Sequence, residues 1–191
     1  MNRYLLIAVA FALSLMSWCV MAGENKVALV IAKDGFRDEE LKVSLDIFQS
    51  AGCKVLVFGD ETGEAKGMLG GIFNIERAIG EMRTEEYKAV VFIGGAGAEV
   101  FWDSAVAHEV ARKTIKDGKI LAAICVAPVT LANSGVLKGK KATVWYSEAD
   151  KLENNGAKYT GSDVEVDGNI VTANGPDATE KFAREILKLT K

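Results

Sequence analysis

Residues 119–135 read KILAAICVAPVTLANSG. An apolar run leads straight into Cys125, and three residues later Pro128 stands where the first turn of a helix accepts a proline. A run with no polar alternation is how a strand covered on both faces reads, so the segment predicts a buried strand, a sharp turn and a helix. Three more such runs lie upstream, at 26–32 (KVALVIA), 54–58 (KVLVF) and 88–93 (KAVVFI). Between them Leu41, Leu45, Ile47 and Phe48 fall at helical spacing before Gly52, and Val106, Val110 and Ile115 do so before Gly118. Strands alternating with crossover helices predict an α/β fold, with a mostly parallel sheet covered by helices on both faces.

Two stretches break the alternation. Gly63, Gly67, Gly70 and Gly71 are too closely spaced for a helix and predict a β-hairpin. Near the end, 163–166 and 169–172 flank Asp167-Gly168 as a second hairpin, and a last helix is expected over 177–189.

The chain has 191 residues, 49% of them hydrophobic, which supports one ordinary domain with a filled core, expected over 23–191. A net charge of −3 with no block of like charges excludes the electrostatic footprint of a nucleic-acid binder and a polybasic membrane patch. One histidine and three cysteines (Cys19, Cys53, Cys125) without a paired short spacing cannot build a zinc ribbon or finger, so no metal or cofactor is expected. At the start, Arg3 precedes an uncharged stretch from Leu5 to Ala22, with Val20 and Ala22 at −3 and −1 of a cut before Gly23. That pattern reads as a cleavable signal peptide over 1–22 and places the mature protein, without stable membrane insertion, in the periplasm or outside the cell. An uncleaved anchor is the competing reading.

A nucleophile on a strand-to-helix turn needs small residues two positions before and after it, and Ala123 and Ala127 meet that need as the glycines do in G-x-S-x-G. Free N–H groups of the following helix would favour thiolate at Cys125. On spacing alone Cys125 is either such a nucleophile or a small hydrophobe at a strand end. Gly94 and Gly95 follow the strand at 88–93 at once, so backbone N–H groups there could approach a ligand or a developing oxyanion; a plain Gly-Gly turn is the alternative. Asp38, Glu39 and Glu40 crowd a helix start, where acidic residues are ordinarily solvated partners of the helix dipole.

AICVAP around Cys125, VVFIGG at 90–95, EEL at 39–41 and TANGPDATEKFA at 172–183 together resemble the ThiJ/PfpI superfamily, which includes the parkinsonism-associated deglycase and PfpI peptidases. The resemblance spans 26–190. It implies a flavodoxin-like, doubly wound sandwich of the class I glutamine amidotransferase-like kind, usually a homodimer. It also implies that Cys125 is the nucleophile, that Glu40 is the acid hydrogen-bonding its sulfur, and that backbone N–H groups of Gly95 and Val126 lie near the nucleophile.

The chain departs from the family at its base. The histidine that peptidase members carry after the cysteine is Val126 here, and the one deglycase-like members place on the next strand falls on Trp145. Trp145 is expected as a pocket wall closing the site to large ligands, or as core filling. His108, in SAVAHEVARK, is expected to be a solvated helical residue, so no Cys-His-acid triad forms within one chain. General-base help is worth ~10² to 10⁴ in rate, and its loss argues against peptidase activity. Addition to a small reactive carbonyl, or oxidation, asks less of the site. The expected function is therefore glyoxalase- or deglycase-like, with a redox-sensing or chaperone-like homodimer as the alternative. A Cys53–Cys125 disulfide is not expected, because strand start and strand end lie far beyond the ~7 Å Cα limit.

Overall fold

The four apolar runs are neighbouring strands of a seven-stranded sheet, in a computed structural model that describes residues 25–191. The segment read as a signal peptide lies outside the described residues. β1 (Lys26–Ile31) leads through a short β2 (Asp34–Phe36) into α1 (Asp38–Ser50), and β3 (Lys54–Gly59) returns beside β1. A hairpin of β4 (Gly63–Gly67) and β5 (Ile72–Ile75) follows, then a two-residue β6 (Arg77–Ala78). β7 (Ala89–Phe92) is joined by α2 (Ala105–Lys116) to β8 (Ile120–Ile124), and α3 (Pro128–Asn133) comes next. The rest carries β9 (Lys141–Ala142), α4 (Ala149–Asn154), β10 (Lys158–Tyr159), the antiparallel pair β11 (Val164–Asp167) and β12 (Ile170–Ala173), and α5 (Thr179–Leu189).

The sheet order is β11-β12-β8-β7-β1-β3-β6, and every neighbouring pair except β11-β12 is parallel. This is the flavodoxin-like, doubly wound arrangement. Strand residues alternate between two cores: Ala28, Val30, Val90, Phe92, Leu121 and Ala123 pack on one face, Val27, Leu29, Ile31, Val91, Ala122 and Ile124 on the other. Buried residues of α2, α3 and α4 belong to the first core, and those of α1 and α5 to the second. Both sheet faces are thus sealed, which is why the strands carry no polar alternation.

Both expected hairpins form, the second one residue later than its spacing suggests. The last helix starts at Thr179 after a 3-10 turn over Pro176–Ala178. Val106 is exposed rather than core-facing, because the inward face of α2 is Ala107, Val110, Ala111 and Thr114. What this topology does for a site is bring together the carboxyl ends of β1, β7 and β8. The connection leaving β1 goes to one side of the sheet and β7 lies on the other, so a crevice opens where open α/β sheets bind ligands.

Candidate functional site

Cys125 follows the last residue of β8 with φ +61°, the only non-glycine residue with positive φ among the described residues. A side chain in that region is strained by roughly 1–3 kcal/mol and persists only where its surroundings hold it. Main-chain bonds do so here. Cys125 N–H donates to the Ala173 carbonyl of β12 at 3.0 Å, Trp145 N–H donates to the Cys125 carbonyl at 2.8 Å, and Ala127 N–H closes the turn on the Ile124 carbonyl at 3.1 Å. Ala123 and Ala127 are buried on either side, as the sharp bend demands.

Gly94 and Gly95 turn the chain just after β7. A Cβ on Gly94 would lie 2.5 Å from the Cys125 Cβ and 2.8 Å from Glu40 Oε2, so the glycine is the gap through which those two side chains face each other. Gly95 has φ +101°, and a Cβ there would meet the Gly35 carbonyl at 2.4 Å and Arg37 N at 2.5 Å. The N–H groups of Gly95 and Val126 both act on the Cys125 sulfur and favour its charged form. Two donors converging on one atom form the kind of cradle that stabilises developing negative charge.

The three acids that open α1 divide into three tasks. Asp38 accepts the N–H of Leu69 at 2.8 Å and of Gly71 at 2.7 Å, fastening the β4–β5 hairpin to the helix. Glu39 pairs with the Arg37 guanidinium at 2.8 Å. Glu40 has no solvent exposure and accepts the Gly94 N–H on Oε2 at 2.9 Å, while its Oε1 has no main-chain or side-chain partner within hydrogen-bond geometry. Acidic residues at a helix start are ordinarily solvated, but Glu40 is buried and faces Cys125, the place that the resemblance implies for it. Its neighbours on the buried helix face are Leu41, Ser44 and Phe48.

Burial pushes the Glu40 carboxyl from its usual 4.5 up to about 7, against the opposing pull of the Gly94 N–H, the Cys125 thiol and the Arg37 charge. Burial, and then the Glu40 charge, push the Cys125 thiol from 9.0 up to about 12, against the pull of the Gly95 and Val126 N–H groups. The expected lowering of the thiol by the helix end is outweighed by burial of the sulfur and by the Glu40 charge. Two groups this close titrate as a pair: two protons below about 7, one proton between them above it.

Trp145 stands next to the site, its N–H bonded to the Cys125 carbonyl. Its side of the chain is 37% exposed, its ring lies against Gly175, and it is tilted on Tyr146 with centroids 5.2 Å apart. It lines an open cleft of about 250 Å³ with Tyr146, Tyr159, Asp163 and Asp177. His108 is half-buried on α2 rather than solvated, its Nε2 bonded to the Trp102 carbonyl at 2.7 Å. Cys53 and Cys125 are both free thiols, and burial raises Cys53 as well. Among the described residues no cluster of three or more His, Cys, Asp or Glu side chains is gathered as a metal site. Sequence reasoning missed Arg37, whose N–H holds the Gly94 carbonyl at 2.9 Å and whose charge acts on both Glu40 and Cys125. Its place immediately before the three acids was the available signal.

An uncharacterized protein of Methanocaldococcus jannaschii is 42% identical over 166 residues, covering 85% of this chain and 81% of its own. A protein of Thermococcus kodakarensis named as a deglycase is 34% identical over 163 residues, covering 85% of this chain and 98% of its own. The crystal structure of a ThiJ/PfpI domain protein from Brachyspira murdochii superposes with a TM-score of 0.85 at 34% identity, over 87% of this chain and 96% of that one. Residues 25–189 match the DJ-1/PfpI family, and the chain belongs to that family.

Proposed function

We propose that this protein is an exported, glyoxalase- or deglycase-like enzyme in which Cys125 adds to small reactive carbonyl compounds and Glu40 moves the proton. The observation that carries the reading is the Glu40–Cys125 pair itself: a fully buried carboxyl with a free oxygen, facing a cysteine on a strained turn across a glycine gap. Relatives named as deglycases support the general class.

The absent histidine is then less damaging than it is on paper, because the carboxylate can serve as the base. In the one-proton state the thiol proton passes to Glu40 as sulfur bonds to the aldehyde carbon of a 2-oxoaldehyde. The carbonyl π pair moves to oxygen, stabilised by the Gly95 and Val126 N–H groups, and Glu40 returns the proton to give a hemithioacetal. In the glyoxalase direction Glu40 next moves the proton from the sulfur-bearing carbon to its neighbour. The resulting thioester is hydrolysed by water to a 2-hydroxy acid, releasing the thiol. An unactivated amide offers no comparably reactive carbon, so peptidase activity is not part of the proposal.

A redox-sensing homodimer is the second reading. It is favoured by the unpartnered Glu40 Oε1, which in its protonated form could donate to an oxygen added to sulfur. One experiment separates the two. Wild type and Cys125→Ser are compared for methylglyoxal consumption, with intact mass taken after mild peroxide. Turnover lost in the variant supports the enzyme; a gain of two oxygens on Cys125 without turnover supports the sensor. Turnover unchanged in Cys125→Ser contradicts a cysteine-dependent reaction.

A further inference from the structure

One side chain joins the main-chain bonds that hold the strained turn. The indole Nε1–H of Trp102 donates to the Val126 carbonyl at 3.1 Å, an oxygen that also accepts Val129 N–H at 3.3 Å. Trp102 is itself held from behind: its carbonyl accepts from His108 Nε2 at 2.7 Å and from Asn133 Nδ2 at 2.9 Å. A carbonyl can only accept, so this bond places the His108 proton on Nε2. The Lys151 ammonium lies 4.8 Å from the Trp102 ring centroid, on its face. Trp102 also comes directly after the 3-10 turn Ala96–Phe101, whose N-cap is Gly95. The chain from Gly95 to Trp102, with the indole bond to Val126, therefore ties together the two residues whose N–H groups act on the cysteine sulfur.

We propose that Trp102 is a positioning residue for the chemistry at Cys125, its indole N–H anchoring Val126 through its carbonyl, one Cα away from the Val126 N–H, so that the Gly95 and Val126 N–H groups stay aimed at one point. The proposal rests on Cys125 as the reacting group; Trp102 itself touches no substrate. Packing alone would be satisfied by any ring of similar size. Three separate contacts fixing the tryptophan, and one bond from it to the peptide beside the nucleophile, are what a directional role requires.

Trp102→Phe keeps a ring and removes the N–H. Methylglyoxal kcat should fall about three- to tenfold with KM little changed, the scale of one neutral hydrogen bond. The alkaline, thiolate limb of the pH profile of Cys125 alkylation by iodoacetamide, followed by peptide mapping, should move upward, because misdirected donors stabilise the thiolate less. A wild-type alkylation profile in Trp102→Phe overturns the proposal. If that variant does not fold, the His108→Ala/Asn133→Ala double variant, which strips both donors from the Trp102 carbonyl, decides in its place. An upward shift supports the proposal and a wild-type profile overturns it. The alkylation readout needs no substrate, so it judges Trp102 even if Cys125→Ser keeps its turnover and the enzymatic reading fails.

Discussion

At Glu40 and Cys125 two groups that each resist ionisation in a dry setting are pressed together, and the pair settles the matter by giving up one proton near neutrality. Glu40 is raised above its usual 4.5, so the folded protein holds this proton more tightly than the unfolded chain does. The stabilisation from it is complete below 4.5 and is lost as pH rises through about 7. By the usual conversion that loss is roughly 3 kcal/mol. Urea melts at pH 5 and pH 8 should show wild type losing about that much relative to Glu40→Gln, whose side chain has nothing to titrate; equal losses would mean Glu40 is not raised. Cys53 is as buried as Cys125 but has no acid or N–H cradle in its surroundings. A short iodoacetamide pulse at pH 8 should therefore label Cys125 first, and equal labelling would remove the case for base assistance. Glu40 was not distinguishable from Asp38 and Glu39 by composition. Helical spacing does separate it, since Glu40, Ser44 and Phe48 share a face.

The element that shapes the site is the pair of turns after β7 and β8. Gly94→Ala should place a methyl group against the Cys125 Cβ, Glu40 Oε2 and the Ile124 carbonyl at once. Two of those three neighbours are the reacting pair, so turnover should fall by more than tenfold, with a stability cost of about 1–3 kcal/mol from overpacking. Kinetics and urea melts on the same preparation check both, and a fully active Gly94→Ala would mean the gap between Glu40 and Cys125 is wider than described. These turns were legible because glycine pairs and small-residue spacing leave marks in a sequence. β2, β9 and β10 were not, being two or three residues long with no period to read. Of the two readings of Trp145, core filling does not fit its exposure, which follows from the chain turning outward into a 3-10 segment at Tyr146–Glu148.

For the whole molecule, the alternation of apolar runs with helical spacing foretold the layers but not the strand order, which is set by pairings between distant segments such as β8 with β12. The resemblance to a family implies the doubly wound arrangement, and the family assignment covers the described chain almost end to end. Export and dimerisation belong to the same scale and stand as proposals. Intact mass of the secreted or periplasmic product should correspond to a chain beginning at Gly23, and a product retaining residues 1–22 would contradict export by cleavage. Non-reducing mass should find Cys53 and Cys125 both free, since Cys53 precedes the start of β3 and Cys125 follows the end of β8, at opposite edges of the parallel sheet. Light scattering should give twice the chain mass, with exposed Met68, Leu69, Ile72 and Val100 as apolar surface available to a second copy.

The central claim is that Glu40 and Cys125 share a proton and act as one unit. It is tested most directly by the pH profile of Cys125 alkylation in wild type and Glu40→Gln, read by peptide mapping from pH 5 to 10. Wild type should rise with a midpoint near 7, where Glu40 becomes a carboxylate able to take the thiol proton as sulfur attacks, while Glu40→Gln should stay slow until the pH passes 9. Superimposable profiles would contradict the account.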